Sequence, residues 1–444
     1  MCIVIHIRNY GIGGLERVVR EQCALFVRMG LEAHLAVSGT EATVHYPYPE
    51  GVRVHRLPSG EPRTDESIRE RRQALIALLT EVGADVYLDS TYYDLVEPGS
   101  IARADLEAVR TLPRCRTLVH WHTVFSRFLG LAEYGSFAET MESVARLCDG
   151  LIVLSRVDAA FFGSLGFRTF VLPNPVDPAL VAAAHGPDHP PGRTILWCGR
   201  LGAEKRPFAA LRVFSRVRER LPDARLLVVG GGTDAQEREL RQFARTMVPE
   251  DTVEFTGEVA DAYPLYSRAD VMLNTSEREG YPLSFVEALA FGLPVVSVGK
   301  DYLELLRRGS GACLAAEGED GAAEKLVRLL GEPDRLLAAR RAAERQWTEL
   351  RDFDLAVAYG KVFDALDETV ATPESGEAVF LVRELLAATA RGVRTNERLW
   401  TMAFGGRLGL IAVKTLREIE RIAGFDERVR LLQAVVRKLK GNVT

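Results

Sequence analysis

Glu279 and Glu287 stand eight positions apart in SEREGYPLSFVEALAFGLPVVS, with a Gly280-Tyr281-Pro282 turn and the start of an apolar helix between them. Ser284 followed three residues later by Glu287 has the form of a capping box, so Glu287 has a purely structural reading. Glu279 lies outside that helix, next to the amides of Leu283 and Ser284 that a helix start leaves without internal acceptors. A carboxylate beside free amide donors accepts from sugar hydroxyls while the amides donate to sugar or phosphate oxygens. A second cluster, CGRLGAEKRP, places Arg200 and Lys205 after an apolar strand. A guanidinium fork with an ammonium five residues later suits a diphosphate held in a partly dry site; the alternative is two solvated surface cations.

A third element, NYGIGGLER, is a strand, a glycine loop and a helix. Such a start presents backbone N–H groups to an anion. It departs from the dinucleotide fingerprint because Glu16 stands where a third glycine is required, and no Lys-Ser/Thr pair follows to make a phosphate loop of the ATPase kind. A tight turn with close packing would also account for its glycines. His120 and His122 share one face of an expected strand, a possible beginning of a metal site. No third ligand stands at suitable spacing, and no metal is expected. Asp352-Phe353-Asp354 sits where a helix begins and reads as helix-terminal.

The elements that must position these residues alternate. Apolar strands are expected at Cys2–Ile7, Ala33–Val37, DVYLD, TLVHWH and GLIVLS, with a helix opening at Leu15 and ending before Gly30, and another from about Ile68 to Val82. After AAAHGPDHPPGR, a linker by composition, come TILWCGR, a Phe208–Arg220 helix, ARLLVVGGG, an Ala235–Met247 helix, VEFTG, VMLNTS and PVVSV. Apolar strands alternating with helices imply parallel sheets covered on both faces. The fold class is therefore α/β, with two doubly wound domains. Ligands of such sheets bind at the carboxyl ends of the strands, so the glycine loops face the cleft between the domains.

The 444 residues, 47% hydrophobic and 26% charged, suit a globular chain of two or three domains. A net charge of −5 speaks against a nucleic-acid binder. From Pro373 to Thr444, however, about 13 Lys/Arg face about 8 Asp/Glu. The six cysteines are scattered without a C-x-x-C pair, which points to a reducing compartment. MCIVIHIRNYG lacks the pattern of a secretory signal, and no apolar run has the length of a membrane span. The expectation is a cytoplasmic chain, peripheral to a membrane at most.

At these motifs the chain resembles the retaining glycosyltransferases of family 4. The matching pieces are GIGGLERVV, VHWHT, VLPNPVD, CGRLGAEKRP, LLVVGGG, VEFTGEV and EGYPLSFVEALAFGLPVV, in family order and spanning nearly all of residues 1 to 300. The resemblance implies the GT-B fold, with two Rossmann-like domains facing a cleft. Residues 1–183 would form the acceptor-side domain, completed by a helix at about 352–372. Residues 192–351 would form the nucleotide-sugar domain, and 373–444 a basic helical extension.

It further implies that Gly13 and Gly14 bring amides to the donor diphosphate and that Arg200 and Lys205 clamp it beside Gly199. Glu287 would bind the ribose, and main chain near Phe255 to Val259 would meet the base. Glu279, with Gly280, Tyr281, Pro282, Leu283 and Ser284, would hold the transferred sugar, and His122 would contact sugar or phosphate. The implied reaction is metal-independent transfer from a nucleotide-sugar, UDP ahead of GDP, to a hydroxyl acceptor such as a glycan or lipid-linked glycan. A nucleotide-sugar epimerase and a non-catalytic scaffold subunit are the alternatives; the broken glycine pattern disfavours an oxidoreductase. Two departures stand out. GKDYLELL, with Lys300 and Asp301, replaces the family's usual glycine-rich loop, and nothing in the family core matches the region beyond Pro373. RVRLLQAVVRKLK there reads either as a helix lying on an anionic membrane or as one packed on the core or a second subunit.

Overall fold

β1 (Cys2–Ile7) is buried along its whole length. It pairs in parallel with β2 (Glu32–Val37) on one side and β4 (Val86–Asp89) on the other. A strand so enclosed has no solvent face, which is why its sequence is a continuous apolar run without alternation. The computed structural model describes residues 1–366 except Ile12, 40–46, 92–99, 125–140, 142, 165, 187–188, 300–302 and 308–310. The expectations for Lys300, Asp301 and the segment from Pro373 onward lie outside these residues.

With β3 (Arg53–Arg56), β5 (Arg116–His120), β6 (Gly150–Val153) and β7 (Thr169–Val171), the first sheet runs β3-β2-β1-β4-β5-β6-β7. The second sheet contains β8 (Thr194–Cys198), β9 (Arg225–Val229), β10 (Val253–Gly257), β11 (Val271–Asn274), β12 (Val295–Val298) and β13 (Cys313–Ala316), in the order β10-β9-β8-β11-β12-β13. All the strand ladders are parallel. Both orders reverse direction beside their first strand, and at such a switch point the loops at the carboxyl ends diverge and leave a crevice. Each sheet carries an apolar cluster on both faces.

The helix Gly14–Arg28 follows the first glycine loop and ends at Met29, with Gly30 at φ 77 in the left-handed region expected of that position. The second helix begins at Asp65, three residues ahead of the expected Ile68, because Thr64 and Ser67 form a reciprocal capping box. β3, β7 and β13 were not expected. They are three or four residues long and stand at or beside sheet edges, where a strand needs only a short run of backbone bonds.

The linker is stitched to the second sheet's unit. Asp270 accepts from Gly192 N and Thr194 N, both at 2.8 Å, and pairs with buried Arg340. Asp352 follows the helix Pro333–Arg351 as its C-terminal cap, and Asp354 accepts from Val357 N at 2.9 Å. Asp354 thus stands at the start of a helix as the sequence suggested, whereas Asp352 ends the preceding one. The helix Leu355–Leu366 then lies on the first sheet. Tyr359, Val362, Phe363 and Leu366 join the cluster around Ile3, Ile5 and Phe26, with Tyr359 edge-on to Phe26 at 4.9 Å.

Candidate active site

The site is built from loops that leave the carboxyl ends of both sheets. From β8, Gly199-Arg200 leads into the short turn Ala203–Lys205, which ends at Arg206 in the left-handed conformation (φ 52) before Pro207 opens the helix Pro207–Arg220. That backbone state costs a non-glycine residue roughly 1 kcal/mol or more, and it is held from outside. The Arg206 guanidinium pairs with Glu319 at 3.3 Å. Beneath the turn, the buried Thr275 hydroxyl lies 3.0 Å from the carbonyls of both Lys205 and Arg206 and accepts from Trp197 Nε1 at 2.9 Å. Glu277 N donates to Glu204 O at 2.6 Å.

This strapping brings the loop after β11 against the loop after β8. Lys205 Nζ consequently donates to Glu279 Oε1 at 2.8 Å, with the carboxylate only 9% exposed and the lysine 26%. Arg200 does not join them. Its side chain is 82% exposed and lies 3.3 Å from Glu204. The two cations expected to act together are thus a half-buried ammonium in the site and a guanidinium in solvent at its rim. Gly199 lies against the Lys205 stem, where a Cβ would meet Cγ at 3.6 Å. Gly230, at φ 116, crosses so close below that a Cβ there would stand 2.2 Å from Gly199 O.

The helix Leu283–Ala290 corrects one expectation. Its N-cap is Pro282, not Ser284, and no side chain caps it. Proline's fixed φ starts the helix earlier than the Ser-x-x-Glu pattern implied, so Ser284 lies within the first turn. Glu287 therefore does not reach back to a cap. Tyr266 donates to its Oε2 at 2.6 Å, and Arg17, in the first helix of the other sheet's unit, donates to its Oε1. Burial, together with Cys198 and Glu287, keeps the Tyr266 hydroxyl well above its ordinary pKa, so it stays a donor. Neither Arg17 nor Tyr266 was singled out from sequence. The position of Arg17 behind the glycine loop was the available signal; its partner, 270 residues away, left none.

The facing loops touch. A Cβ on Gly14 would lie 3.5 Å from Leu283, and one on Gly280 would lie 3.0 Å from the carbonyl of His122. Gly13 is the N-cap of its helix in extended backbone and makes no side-chain cap; the Glu16 carboxylate folds back to where a Cβ on Gly13 would stand. Tyr281 and Pro282 are buried, with Tyr281 in the apolar cluster beneath the helix; Val259, after β10, is half-buried against the same cluster. A shallow cleft opens beside the contact, lined among others by Arg17, Glu21, Asn174, Asp177, Tyr281 and Leu283.

His122 follows β5, and its ring lies 3.8 Å from that of His120. Gln22 donates to His120 Nδ1 at 2.8 Å and to the Tyr359 hydroxyl at 2.7 Å. Burial lowers the pKa of His120 to about 3 and that of His122 well below the usual value, so both are neutral. Among the described residues, the one group that gathers three metal-ligating atoms is Cys2, Glu32 and His34. It lies at the starts of β1 and β2, away from the strand ends that carry the site.

Two parallel α/β units whose strand ends face each other across such a cleft define a GT-B glycosyltransferase fold. The chain belongs to glycosyltransferase family 4: residues 12–180 match the model described as Glycosyltransferase Family 4, and residues 192–332 match that described as Glycosyl transferases group 1. It is similar to the GDP-mannose:cellobiosyl-diphosphopolyprenol alpha-mannosyltransferase of Xanthomonas oryzae pv. oryzae, 26% identical over 193 residues, 43% of this chain and 50% of the relative. It is also similar to the alpha-monoglucosyldiacylglycerol synthase of Streptococcus pneumoniae, 28% identical over 215 residues, 46% of this chain and 48% of that one. The matched segment spans about half the length of these curated relatives. The solved pneumococcal O-GlcNAc transferase, in complex with UDP and GlcNAc, superposes with a TM-score of 0.64 at 13% identity, over 83% of this chain and 99% of that one. At that identity the likeness shows the fold.

Proposed function

We propose that the protein transfers a sugar, with retention, from a nucleoside diphosphate donor to a hydroxyl of a glycan or lipid-linked glycan. The observation that carries this reading is the Lys205–Glu279 contact at 2.8 Å, with Glu287 one helix turn into the adjoining helix. It sets an ammonium for the leaving group beside a carboxylate for the sugar. The donor's bond between C1 and the diphosphate oxygen breaks, and the electron pair leaves with the diphosphate. The acceptor oxygen bonds to C1 from the same face, and its proton passes to the departing phosphate oxygen. Lys205, with Arg200 closing from the rim and the amides of Gly13, Gly14 and Gly199, stabilises the charge that develops there.

Glu279 and the amides of Gly280 to Ser284 hold the transferred sugar. Glu287 takes the ribose hydroxyls, Val259 borders the base, and neutral His122 donates or accepts at the sugar. Residues 1–183 with the returning helix form the acceptor side and 192–351 the donor side. The printed names of the relatives, a polyprenol-linked sugar acceptor in one and a diacylglycerol glycolipid in the other, support a lipid-linked acceptor. UDP is the proposed donor nucleotide, supported by the UDP bound to the structural neighbour. The Xanthomonas relative's GDP-mannose makes GDP the control.

Thermal shift against UDP, GDP and several nucleotide sugars identifies the donor, because a ligand that binds the folded state raises its melting temperature. Nucleotide release is then followed with and without a polyprenol-linked acceptor, and with EDTA. Acceptor-dependent release unchanged by EDTA is the expected result. Isomerisation of donor alone, or failure to bind any nucleotide sugar, overturns the reading.

A further inference from the structure

The two carboxylates of the site are both neutralised, but from opposite directions. Glu279 is held by Lys205 of its own unit, whereas Glu287 is held by Arg17 of the facing unit. The Glu287 side chain is 9% exposed and that of Arg17 21%, so the pair is only partly screened by solvent. Its other oxygen is already engaged by the Tyr266 hydroxyl. A second ion pair crosses between the units: Arg156 Nε lies 3.0 Å from Glu304 Oε1, and Arg156 N donates to the same carboxylate at 3.3 Å. That pair involves none of the donor-site residues, so it can persist while the Arg17 contact opens.

We propose that Arg17 is a cross-cleft latch which competes with the donor nucleotide for Glu287. This rests on reading Glu287 as the ribose carboxylate. A ribose presents two neighbouring hydroxyls, and a carboxylate receives such a pair best with one hydroxyl on each oxygen. Tyr266 and Arg17 each use one of the carboxylate's lone-pair sites. Arg17, however, reaches it from the facing unit, across the cleft the nucleotide enters, so a nucleotide that binds there exchanges the interunit ion pair for its own hydroxyl contacts. The empty protein is thereby held with its two units in contact at Arg17, Gly14 and Leu283. Nucleotide binding releases the arginine beside the shallow cleft lined by Asn174, Asp177 and Tyr281, and departure of the product nucleotide lets the latch re-form. The arginine thus sets donor affinity and product release without contributing to the bond-breaking step.

The test is calorimetric titration of UDP and GDP into the wild-type protein, Arg17→Gln and Glu287→Gln, each shown by thermal melting to be folded. Arg17→Gln should bind the preferred nucleotide more tightly, by roughly fivefold, the scale of a partly screened ion pair. Glu287→Gln should lose most of the binding. Unchanged or weaker binding by Arg17→Gln, with Glu287→Gln impaired, overturns the latch and leaves the ribose assignment standing. Wild-type binding by Glu287→Gln overturns the ribose assignment and the latch with it. Arg17→Lys, which keeps the charge but not the planar fork, should fall between wild type and Arg17→Gln. It carries the test should Arg17→Gln fail to fold.

Discussion

Lys205 and Glu279 are 74 residues apart in the chain and 2.8 Å apart in space. Each owes its position to something other than the pair itself: Lys205 to the left-handed turn at Arg206, Glu279 to the strap from Thr275 to Glu277. In the absence of a donor the two charges satisfy each other. In the proposed reaction, a diphosphate that draws Lys205 away leaves Glu279 as an acceptor for sugar hydroxyls. On the proposed reading the site exchanges partners when it fills, and Glu279 trades its ion pair for hydroxyl hydrogen bonds.

Lys205→Ala should lower kcat by about 100-fold or more, the scale of losing one preorganised charge donor to a leaving group. The variant should still fold but melt at a lower temperature, because the Glu279 carboxylate, only 9% exposed, loses its cation. Glu279→Gln should reduce turnover while the Kd for the free nucleoside diphosphate stays within about threefold, since the proposed ribose and base contacts are to other residues. Turnover assays beside calorimetry with the nucleotide alone separate the two effects.

Thr275 reaches the site only through backbone, so its removal tests positioning. Thr275→Val deletes the hydroxyl shared by Trp197 and the carbonyls of Lys205 and Arg206. It should cost about 2 kcal/mol of stability through the buried groups left unpaired. It should also lower kcat more than it raises KM for the donor. Thr275→Ser keeps the oxygen and should recover most of both.

Gly230 and Gly257 both have positive φ, 116 and 69, but only Gly230 meets a neighbour's backbone where a Cβ would stand. Gly230→Ala should destabilise by roughly 3 kcal/mol, since strain and a clash with Gly199 O combine. Gly257→Ala, with open space at that point, should lose only about 1 kcal/mol. Chemical denaturation of the two variants side by side checks the difference.

His120 and His122 stay neutral when folded, with the pKa of His120 at about 3. In the unfolded chain both protonate below about pH 6.5. The unfolded state therefore binds more protons across that window, and stability falls as pH drops from 6.5 toward 3. Each histidine contributes about 1.4 kcal/mol per pH unit. Above pH 6.5 the pair has no such effect. His122→Gln should flatten the decline between pH 6 and pH 4 by about one proton's slope, read from denaturation midpoints across that range.

The apolar strands β1, β8, β11 and β12 and the turns at Gly30 and Gly230 were legible because burial on both faces and left-handed backbone each leave a mark on single residues. The paired glutamates and the Arg200–Lys205 spacing stood out by residue type alone, and of the two cations the fold brings only Lys205 to Glu279, with Arg200 exposed on Glu204. The edge strand β3, Arg-Val-His-Arg, is short and half-exposed and leaves no such mark. Ser284 and Glu287 matched a local capping pattern, but Pro282 began the helix first, and the carboxylate turned to Arg17 and Tyr266.

Residue type and local spacing were enough to determine the α/β class, the loops that carry charge and the chemistry those charges suit. Only the tertiary structure decided that Lys205, and not Arg200, meets Glu279, and that Arg17 crosses the cleft to Glu287. The physical reason is one of range. Propensity and hydrophobic period act over a few residues, whereas the partner of a charge is whichever group the packed sheets bring within about 4 Å, from any distance along the chain.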